Sequence, residues 1–196
     1  MPHDAIILAA GGSLRLGRPK QTLTIDGESL LQRTTRIVAS TMPRRLITVL
    51  GANAGDLRAH ADANTVIVNP AWATGMASSL ACAAAAMGQG QMPIVVTVVD
   101  QPALAERHLM ALLAAYDGSC EVVTAYGKSF GVPVVLRPET LARANTLRGD
   151  EGLRKLWIDD GFRSVRDDVL AFDLDTEADV YLATQRGLLD HQDESA

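Results

Sequence analysis

Aromatic residues are scarce in this chain, since Trp, Tyr and Phe together make up 4% of its 196 residues. Hydrophobic residues still account for 47% of the sequence, so the core must be built from Ala, Val, Leu and Ile. That composition is typical of globular domains and excludes a disordered chain. Because one core usually holds about 100–200 residues, we expect a single domain over residues 1–190 and a frayed polar tail over 191–196.

Cysteine and an excess of positive charge are also lacking. The two cysteines, Cys82 and Cys120, are far apart and have no metal-ligand spacing, which excludes a disulfide framework and a zinc ribbon. The 18 Lys and Arg residues face 23 Asp and Glu residues, giving a formal charge of −5. Binding to nucleic acid depends on neutralising phosphates, so we expect no nucleic-acid partner.

Long apolar runs are absent as well. The longest runs, 80–87 and 93–99, are much shorter than the roughly 20 residues that a membrane span needs. The apolar run over 5–10 follows no basic residues and is too short for a signal peptide. We therefore expect a cytoplasmic protein without membrane contact.

Short buried-strand patterns alternate with helical patterns along the chain, which predicts an α/β fold with a mostly parallel sheet between two layers of helices. Pro133 interrupts one strand pattern, so that strand is expected at a sheet edge or a bend. Strands are predicted over 5–9, 46–50, 66–68, 94–99, 122–125, 132–136, 162–165 and 169–174. Helices are predicted over 29–41, 56–63, 76–87, 105–116, 138–144, 151–160 and 178–188.

The first candidate site is the loop after the first strand. Open α/β sheets bind ligands at the carboxyl ends of their strands, and Gly11 and Gly12 stand at that point. Glycines let backbone N–H groups approach phosphate oxygens, while Arg15, Arg18 and Lys20 add positive charge. The loop is neither a P-loop nor a dinucleotide-binding fingerprint. Its alternative interpretation is a surface turn with solvated charges.

Carboxylates suggest a second site. Asp100 follows the most apolar strand and is suited to magnesium, which takes one or two carboxylates together with substrate phosphates. Asp173 and Asp175 alternate along the chain and so would point the same way. The alternatives are an Asx turn at Asp100 and a helix N-cap at Asp175 or Thr176.

Two further polar segments could contact a ligand. Asn69–Leu80 combines a polar turn, Trp72 and the start of a helix, a setting that suits a ribose, a base or an anion. Arg148–Arg154 is a charged turn that enters a helix. Ordinary helix capping, by Ser78 in the first case, is the alternative for both segments.

Taken together, these segments resemble the nucleotidyltransferases of the molybdenum cofactor type, most closely the molybdenum cofactor cytidylyltransferases. The chain departs from the family pattern at Val132, Leu153 and Glu177. The shared motifs are Leu8-Ala9-Ala10-Gly11 with Ser13, Arg15, Gly17 and Lys20; Asn69 to Leu80; Asp100-Gln101-Pro102; Gly131-Val132-Pro133-Val134; Gly149 to Arg154; and Asp173 to Thr176.

The resemblance implies the Rossmann-like fold of nucleotide-diphospho-sugar transferases. It also implies transfer of CMP from CTP to the phosphate of molybdopterin, with release of pyrophosphate and with Mg²⁺ as cofactor. The implied catalytic residues are Arg15, Lys20 and Asp100, and the implied magnesium ligands are Asp100 and Asp175. The implied nucleotide-binding residues are Leu8, Ala9, Ala10, Gly11, Gly12, Ser13, Lys20, Asn69, Gly75, Ser78 and Ser79. The implied acceptor-binding residues are Gln101, Pro133, Gly149 and Asp150.

Several alternatives stay open at this point. The same chemistry would serve GTP, or an acceptor such as a sugar phosphate or methylerythritol phosphate. A non-catalytic chaperone that carries the finished cofactor would bind the same molecules. The expected partners are CTP, a molybdopterin-type cofactor and, as a candidate, a molybdenum hydroxylase apoenzyme, and we expect a monomer.

Overall fold

The computed structural model describes residues 1–61, 65–149 and 151–191. Within these ranges, seven strands form one sheet in the order β5-β4-β1-β6-β8-β7-β9, and β2 and β3 form a separate hairpin. The strands are β1 (Asp4–Ala9), β2 (Thr24–Ile25), β3 (Glu28–Ser29), β4 (Leu46–Leu50), β5 (Thr65–Val68), β6 (Ile94–Val98), β7 (Glu121–Tyr126), β8 (Ser129–Leu136) and β9 (Phe162–Arg166). Every strand of the large sheet except β8 runs in the same direction.

Helices cover both faces of this sheet. They are α1 (Leu30–Ser40), α2 (Ala54–Leu57), α3 (Met76–Met87), α4 (Glu106–Ala115), α5 (Pro138–Ala142) and α6 (Glu177–Gln185). Side chains of β1 alternate between two apolar clusters: Ile6 packs with α3 on one face, and Ile7 packs with α1 and α4 on the other. The predicted three-layer, mostly parallel α/β fold is confirmed. No helix among the described residues has the length and apolarity to cross a membrane.

The C-terminal helix joins the glycine loop to the acidic segment 173–175. Val180 on α6 and Leu174 before it share a third apolar cluster with Leu16 and Leu23. Thr176 caps α6, because its side chain accepts a hydrogen bond from the Asp179 backbone N–H (3.3 Å) and the Asp179 carboxylate accepts one from the Thr176 backbone N–H (2.8 Å). The alternative interpretation of this segment as a helix cap is therefore correct for Thr176, and Asp175 is left to face the pocket.

Two predicted elements are wrong. The predicted strand over 169–174 is a short 3₁₀ turn, Asp168–Ala171, followed by extended chain that joins no sheet. Leu174 there donates its backbone N–H to the Asp100 carbonyl oxygen (3.0 Å) instead of to a neighbouring strand. The predicted helix over 151–160 is reduced to the 3₁₀ turn Leu153–Leu156.

Pro133 lies inside the sheet and not at its edge, since β8 pairs with both β6 and β7. The pairing of β7 with β8 shifts its register between Val123 and Thr124. A proline has no N–H to donate to a ladder, and the irregularity falls at the point where that donor is missing. The Thr124 hydroxyl donates to the Pro133 carbonyl oxygen at 2.6 Å. Of the two predicted settings for Pro133, the sheet edge is therefore wrong and the irregular, bent strand is correct.

Gly51, at the end of β4, packs closely against the turn that carries Trp72. A Cβ on Gly51 would lie 2.5 Å from Trp72 Cβ and 2.6 Å from the Ala10 carbonyl oxygen. A side chain at this position would therefore push apart the strand end and the turn that carries Trp72.

We predict that Gly51→Ala lowers the free energy of unfolding by about 2 kcal/mol, the usual cost of overpacking. The matched control is Gly55→Ala in α2, where an added Cβ meets nothing within 4 Å; it should be neutral or stabilise by up to about 1 kcal/mol. Urea unfolding of the two variants measures both effects. Equal stability of the two variants would contradict the packing described at Gly51.

Candidate nucleotide-binding site

A pocket of about 710 Å³ lies at the carboxyl ends of β1 and β6. This pocket is lined by most of the residues that the sequence predicts to bind the nucleotide, its phosphates or a metal cation. From the predicted set, the lining includes Leu8, Ala9, Ala10, Gly11, Gly12, Ser13, Arg15, Lys20, Gly75, Ser79, Asp100 and Asp175. The volume falls within the range of about 300–1,000 Å³ that is usual for small-molecule sites.

The glycine loop is fastened at both of its ends. The Gln21 side-chain amide donates hydrogen bonds to the carbonyl oxygens of Ala9 (2.8 Å) and Gly11 (3.0 Å). The Lys20 backbone N–H donates to Ser13 Oγ (3.1 Å), and Ser13 adopts a left-handed conformation (φ +50°). The loop thus forms an ordered cradle, and Gly12 brings it against the ring of Trp72, which a Cβ would meet at 2.7 Å.

The centre of the pocket is a lysine held between two carboxylates. Lys20 Nζ donates to Asp100 Oδ2 at 2.9 Å and to Asp175 Oδ1 at 3.1 Å. The Lys20 side chain is 11% exposed. Its burial disfavours the charge, but Asp100 and Asp175 outweigh that effect and raise the pKa of the ammonium group above its ordinary value. Lys20 is therefore positively charged at any physiological pH.

Arg15 adds a second cation at the mouth of the pocket. Its guanidinium donates to the other carboxylate oxygen of Asp175 at 2.9 Å, while the Arg15 side chain stays 71% exposed. Asp175 thus connects Arg15 with Lys20. Because Arg15 is exposed and solvated, its pair with Asp175 contributes little to stability and leaves Arg15 able to turn toward an anionic ligand.

Asp173 is the third carboxylate on this wall. Loss of hydration around its carboxyl group, followed by the negative charges of Asp100 and Asp175, raises the pKa of Asp173 to about 6. The residue as a whole is exposed, but its carboxyl group loses hydration at the pocket wall, and the acidic groups beside it add to the rise in its pKa. Asp173 therefore keeps its proton to a higher pH than an ordinary aspartate does.

Two residues predicted to bind nucleotide lie outside the lining. The Asn69 side-chain amide is buried and donates to the hydroxyl oxygens of Ser78 (2.8 Å) and Ser79 (3.0 Å). Ser78 in turn donates to the carbonyl oxygens of Ala71 (3.0 Å) and Gly75 (2.9 Å). Both side chains hold the turn that precedes α3, so they shape the pocket wall from behind.

The residues predicted to bind the acceptor are not gathered around the pocket. Gln101 is buried and donates to the carbonyl oxygens of Val132 (3.2 Å) and Leu170 (3.0 Å). Pro133 is buried in β8, preceded by a cis peptide bond. The Gly149 carbonyl oxygen accepts from the Ala77 backbone N–H (3.1 Å), and Asp150 lies outside the described residues. The three described residues have packing and hydrogen-bonding roles.

Some lining residues were not predicted as ligand contacts, and Gln21 and Met76 are two of them. Trp72, which the sequence offered as part of a ligand-binding turn, does line the pocket. Trp72 alone carried a signal, since a large aromatic residue in a polar turn often contacts a ligand. Gln21 and Met76 carried none, because a glutamine after a lysine or a methionine at a helix start fits many settings.

The acidic residues of the pocket fit a divalent cation that arrives with phosphates. Asp100 and Asp175 both place an oxygen within 3.1 Å of Lys20 Nζ, which shows that the two carboxylates can share one cation. In the described part of the chain, no cluster of three or more His, Cys, Asp or Glu side chains is arranged as a complete metal site. Magnesium usually takes one or two carboxylates and fills its remaining positions with phosphate oxygens and water.

A glycine cradle, a buried lysine and paired carboxylates at the carboxyl edge of a parallel sheet define a class of protein that binds nucleoside phosphates. A family model described as "MobA-like NTP transferase domain" matches residues 5–164. The chain belongs to this family of nucleotidyltransferases, which confirms the resemblance seen in the sequence motifs.

Three similar proteins cover nearly the whole chain. Nicotine blue oxidoreductase of Paenarthrobacter nicotinovorans is 34% identical over 194 residues, covering 90% of this chain and 93% of that protein. The homologue of Mycobacterium tuberculosis Rv0371c from Mycobacterium sp. strain JC1 has 27% identity and a TM-score of 0.81, covering 94% and 96% of the two chains. Rv0371c of Mycobacterium tuberculosis H37Rv in complex with manganese has 26% identity and a TM-score of 0.76, covering 98% and 100%.

The raised pKa of Asp173 predicts a pH-dependent stability. The folded-state value of about 6 lies above the ordinary value of 3.8, so the contribution of this group to stability is present at low pH. It is lost as the pH rises from about 4 to 6.

Asp173→Asn keeps the side chain neutral at every pH. At pH 7.5 the free energy of unfolding of this variant should exceed that of the native chain by on the order of 1 kcal/mol. This value is discounted because Asp173 is exposed to solvent. The gain should shrink at pH 4.5. Urea unfolding at both values tests this, with the exposed Asp159→Asn as control. A gain that is the same at both pH values would contradict the assignment.

Proposed function

We propose that this chain transfers CMP from CTP to the phosphate of a molybdopterin-type acceptor, releasing pyrophosphate. The observation that supports this most strongly is the Lys20–Asp100–Asp175 cluster beside the glycine loop. Membership of the MobA-like family supports the reaction type. The motif Leu8-Ala9-Ala10-Gly11, which resembles that of the cytidylyl branch, supports CTP. We propose that residues 1–190 act as one domain in this reaction.

In this proposal the backbone N–H groups of Gly11, Gly12 and Ser13 receive the triphosphate. Hydrogen-bond donors that are already in place need no rearrangement when charge develops on the reacting phosphate. The fastening by Gln21 supplies that order, because it fixes the loop to the end of β1 through two hydrogen bonds. The ring of Trp72 packs against Gly12 and lines the pocket beside the glycine loop.

Lys20 has the central role, since it exchanges partners when the nucleotide binds. In the described structure its charge is neutralised by Asp100 and Asp175. A triphosphate in the cradle offers Lys20 stronger negative charge, and the ammonium group then neutralises the phosphate and the departing pyrophosphate. Positioning and charge neutralisation are the main contributions of protein groups to phosphoryl-type transfer.

Asp100 and Asp175 are the residues that would hold Mg²⁺ once Lys20 has turned to the phosphates. The cation, when bound, would neutralise phosphate oxygens and help to align the nucleotide. Arg15 would approach the same phosphates from the mouth of the pocket. Rv0371c, a similar protein, has been solved with manganese, which supports a divalent cation at this site.

The acceptor would approach from the side of Met76 and the segment 151–156. Gly152 comes close to this side of the pocket, since a Cβ there would lie 3.8 Å from Met76 Sδ. We propose that this flank meets the acceptor and, after transfer, a molybdenum hydroxylase that receives the product.

A second candidate function comes from one relative. A protein 34% identical to this chain is named nicotine blue oxidoreductase, so a redox reaction on such a compound is the main rival. The pocket would then hold a pyridine nucleotide in place of CTP, although the loop has no dinucleotide-binding fingerprint.

The two candidates are separated by measuring two products from the same protein. Pyrophosphate release is followed with molybdopterin-type acceptor, Mg²⁺ and CTP, GTP, ATP or UTP in turn, and NAD(P)H oxidation is followed with nicotine blue. We expect release that is selective for CTP and no oxidation. Oxidation without release would replace the proposal with the redox function, and release with GTP alone would replace CTP.

We predict that Lys20→Met lowers the rate of this transfer by about 10²–10³-fold, the usual effect of removing one group that stabilises transition-state charge. The matched control is Lys128→Met, an exposed lysine between β7 and β8, which should leave the rate unchanged. Circular dichroism establishes that both variants fold. A folded Lys20→Met protein with the native kcat would remove Lys20 from the proposed mechanism.

A further inference from the structure

A second pocket, of about 890 Å³, lies beside the nucleotide pocket and shares none of its lining residues. It is bordered by α1, by the start of α4, by the turn Asp168–Ala171 and by the end of α6. The residues that carry the following argument are Ile25, Arg33, Arg107, Val169, Phe172 and Arg186.

Three arginines give this pocket its charge. Within 1–61, 65–149 and 151–191, neither Arg33, Arg107 nor Arg186 forms an ion pair with a carboxylate. The Nε atom of Arg33 is buried without a hydrogen-bond partner, a position that costs free energy until an acceptor fills it. The Arg186 guanidinium lies 5.0 Å from the centre of the Phe172 ring.

Two carboxylates also reach the lining, and they do not cancel this charge. Asp168 accepts hydrogen bonds from the Gly127 backbone N–H and from Arg166, both at 2.8 Å. The Asp168 carboxylate is thus already paired with Gly127 and Arg166, which do not line the pocket. Asp26 is exposed and carries no resolved interaction with the three arginines, so the lining keeps an excess of positive charge.

Apolar surface lies next to the arginines. Val169 is 53% exposed, and Ile25 and Phe172 are half-buried on the same lining. A guanidinium beside an aromatic ring favours a ligand with a flat body, because the ring and the guanidinium both present planar faces. The wall also contains Pro102, two residues beyond Asp100, so it adjoins the acidic loop.

We propose that this pocket is a second ligand site, for a small organic anion that has a flat apolar body. Its carboxylate, sulfonate or phosphate group is held by Arg33, Arg107 and Arg186, and its body packs on Val169 and Phe172. None of these residues lines the nucleotide pocket, so the proposal does not rest on the transfer reaction.

The probe is 8-anilinonaphthalene-1-sulfonate, an aromatic anion whose fluorescence rises on binding. The full chain should bind one dye, and the double variant Arg107→Gln/Arg186→Gln should bind it at least about tenfold more weakly, through loss of two charge-assisted contacts. Val169→Trp should block binding by filling the pocket while keeping every charge. The matched control Arg44→Gln, an exposed arginine before β4, and Lys20→Met in the nucleotide pocket should both keep the native affinity.

Three results would overturn the proposal. The first is native dye affinity in the double variant, with its fold verified by circular dichroism. The second is loss of dye binding in Lys20→Met, which would locate the dye in the nucleotide pocket. The third is a dimer of the native chain that the double variant dissociates in sedimentation experiments, because a second copy would then cover this pocket.

Discussion

The site depends on a single buried ammonium group placed between two carboxylates. Lys20 is almost enclosed by protein, and a lone charge in that position would be expensive to keep. Asp100 and Asp175 compensate for it at 2.9 and 3.1 Å. The same arrangement concentrates negative charge at the place where, in our proposal, phosphates bind, so the two carboxylates need a cation both before and after binding. Lys20 supplies that cation in the structure described, and an incoming divalent cation would supply it in the complex.

The fold brings these three groups together from distant parts of the chain. Asp100 is fixed at the end of β6, and Leu174 is hydrogen-bonded to the Asp100 carbonyl oxygen. That bond sets Asp173 and Asp175 beside Asp100. The α6 helix then packs Leu174 and Val180 onto Leu16 and Leu23 of the glycine-loop region. The capping of α6 by Thr176 frees Asp175 from a helix-capping role, which allows it to pair with Lys20 and Arg15.

Elements with strong local patterns could be predicted from the sequence, and those set by distant contacts could not. The alanine-rich helix predicted over 76–87 has those bounds in the structure, because alanine has the highest helix propensity of all residues. The strand predicted over 169–174 does not form, because it has no neighbouring strand to pair with. Leu174 donates its backbone N–H to the carbonyl oxygen of Asp100 instead. Pro133 lies inside the sheet because β8 pairs with both β6 and β7, a pairing with distant strands that the local sequence does not encode.

The residues of the candidate site likewise divide into those with a local sequence signal and those set by distant contacts. The glycine loop, Asp100 and Asp175 were predicted as ligand contacts from their residue types and motif positions, and they line one pocket. The pairing of Lys20 with Asp175, 155 residues away, left no local signal. Asn69 and Ser78 show the reverse case: polar side chains around a helix start serve equally to hold the turn or to bind a ligand, and here they hydrogen-bond within their own turn.

The most direct test of this account is the affinity of the protein for Mn²⁺ in the absence of nucleotide, measured by calorimetry for the native chain, Lys20→Met and Lys128→Met. If Lys20 occupies the position that a divalent cation takes, its removal leaves two carboxylates without a partner. Lys20→Met should then bind Mn²⁺ about tenfold or more tightly than the native chain, because an opposing charge within about 4 Å is worth more than 1 kcal/mol in a partly buried site. Lys128→Met should match the native chain. Equal or weaker Mn²⁺ binding by a folded Lys20→Met protein would contradict the account.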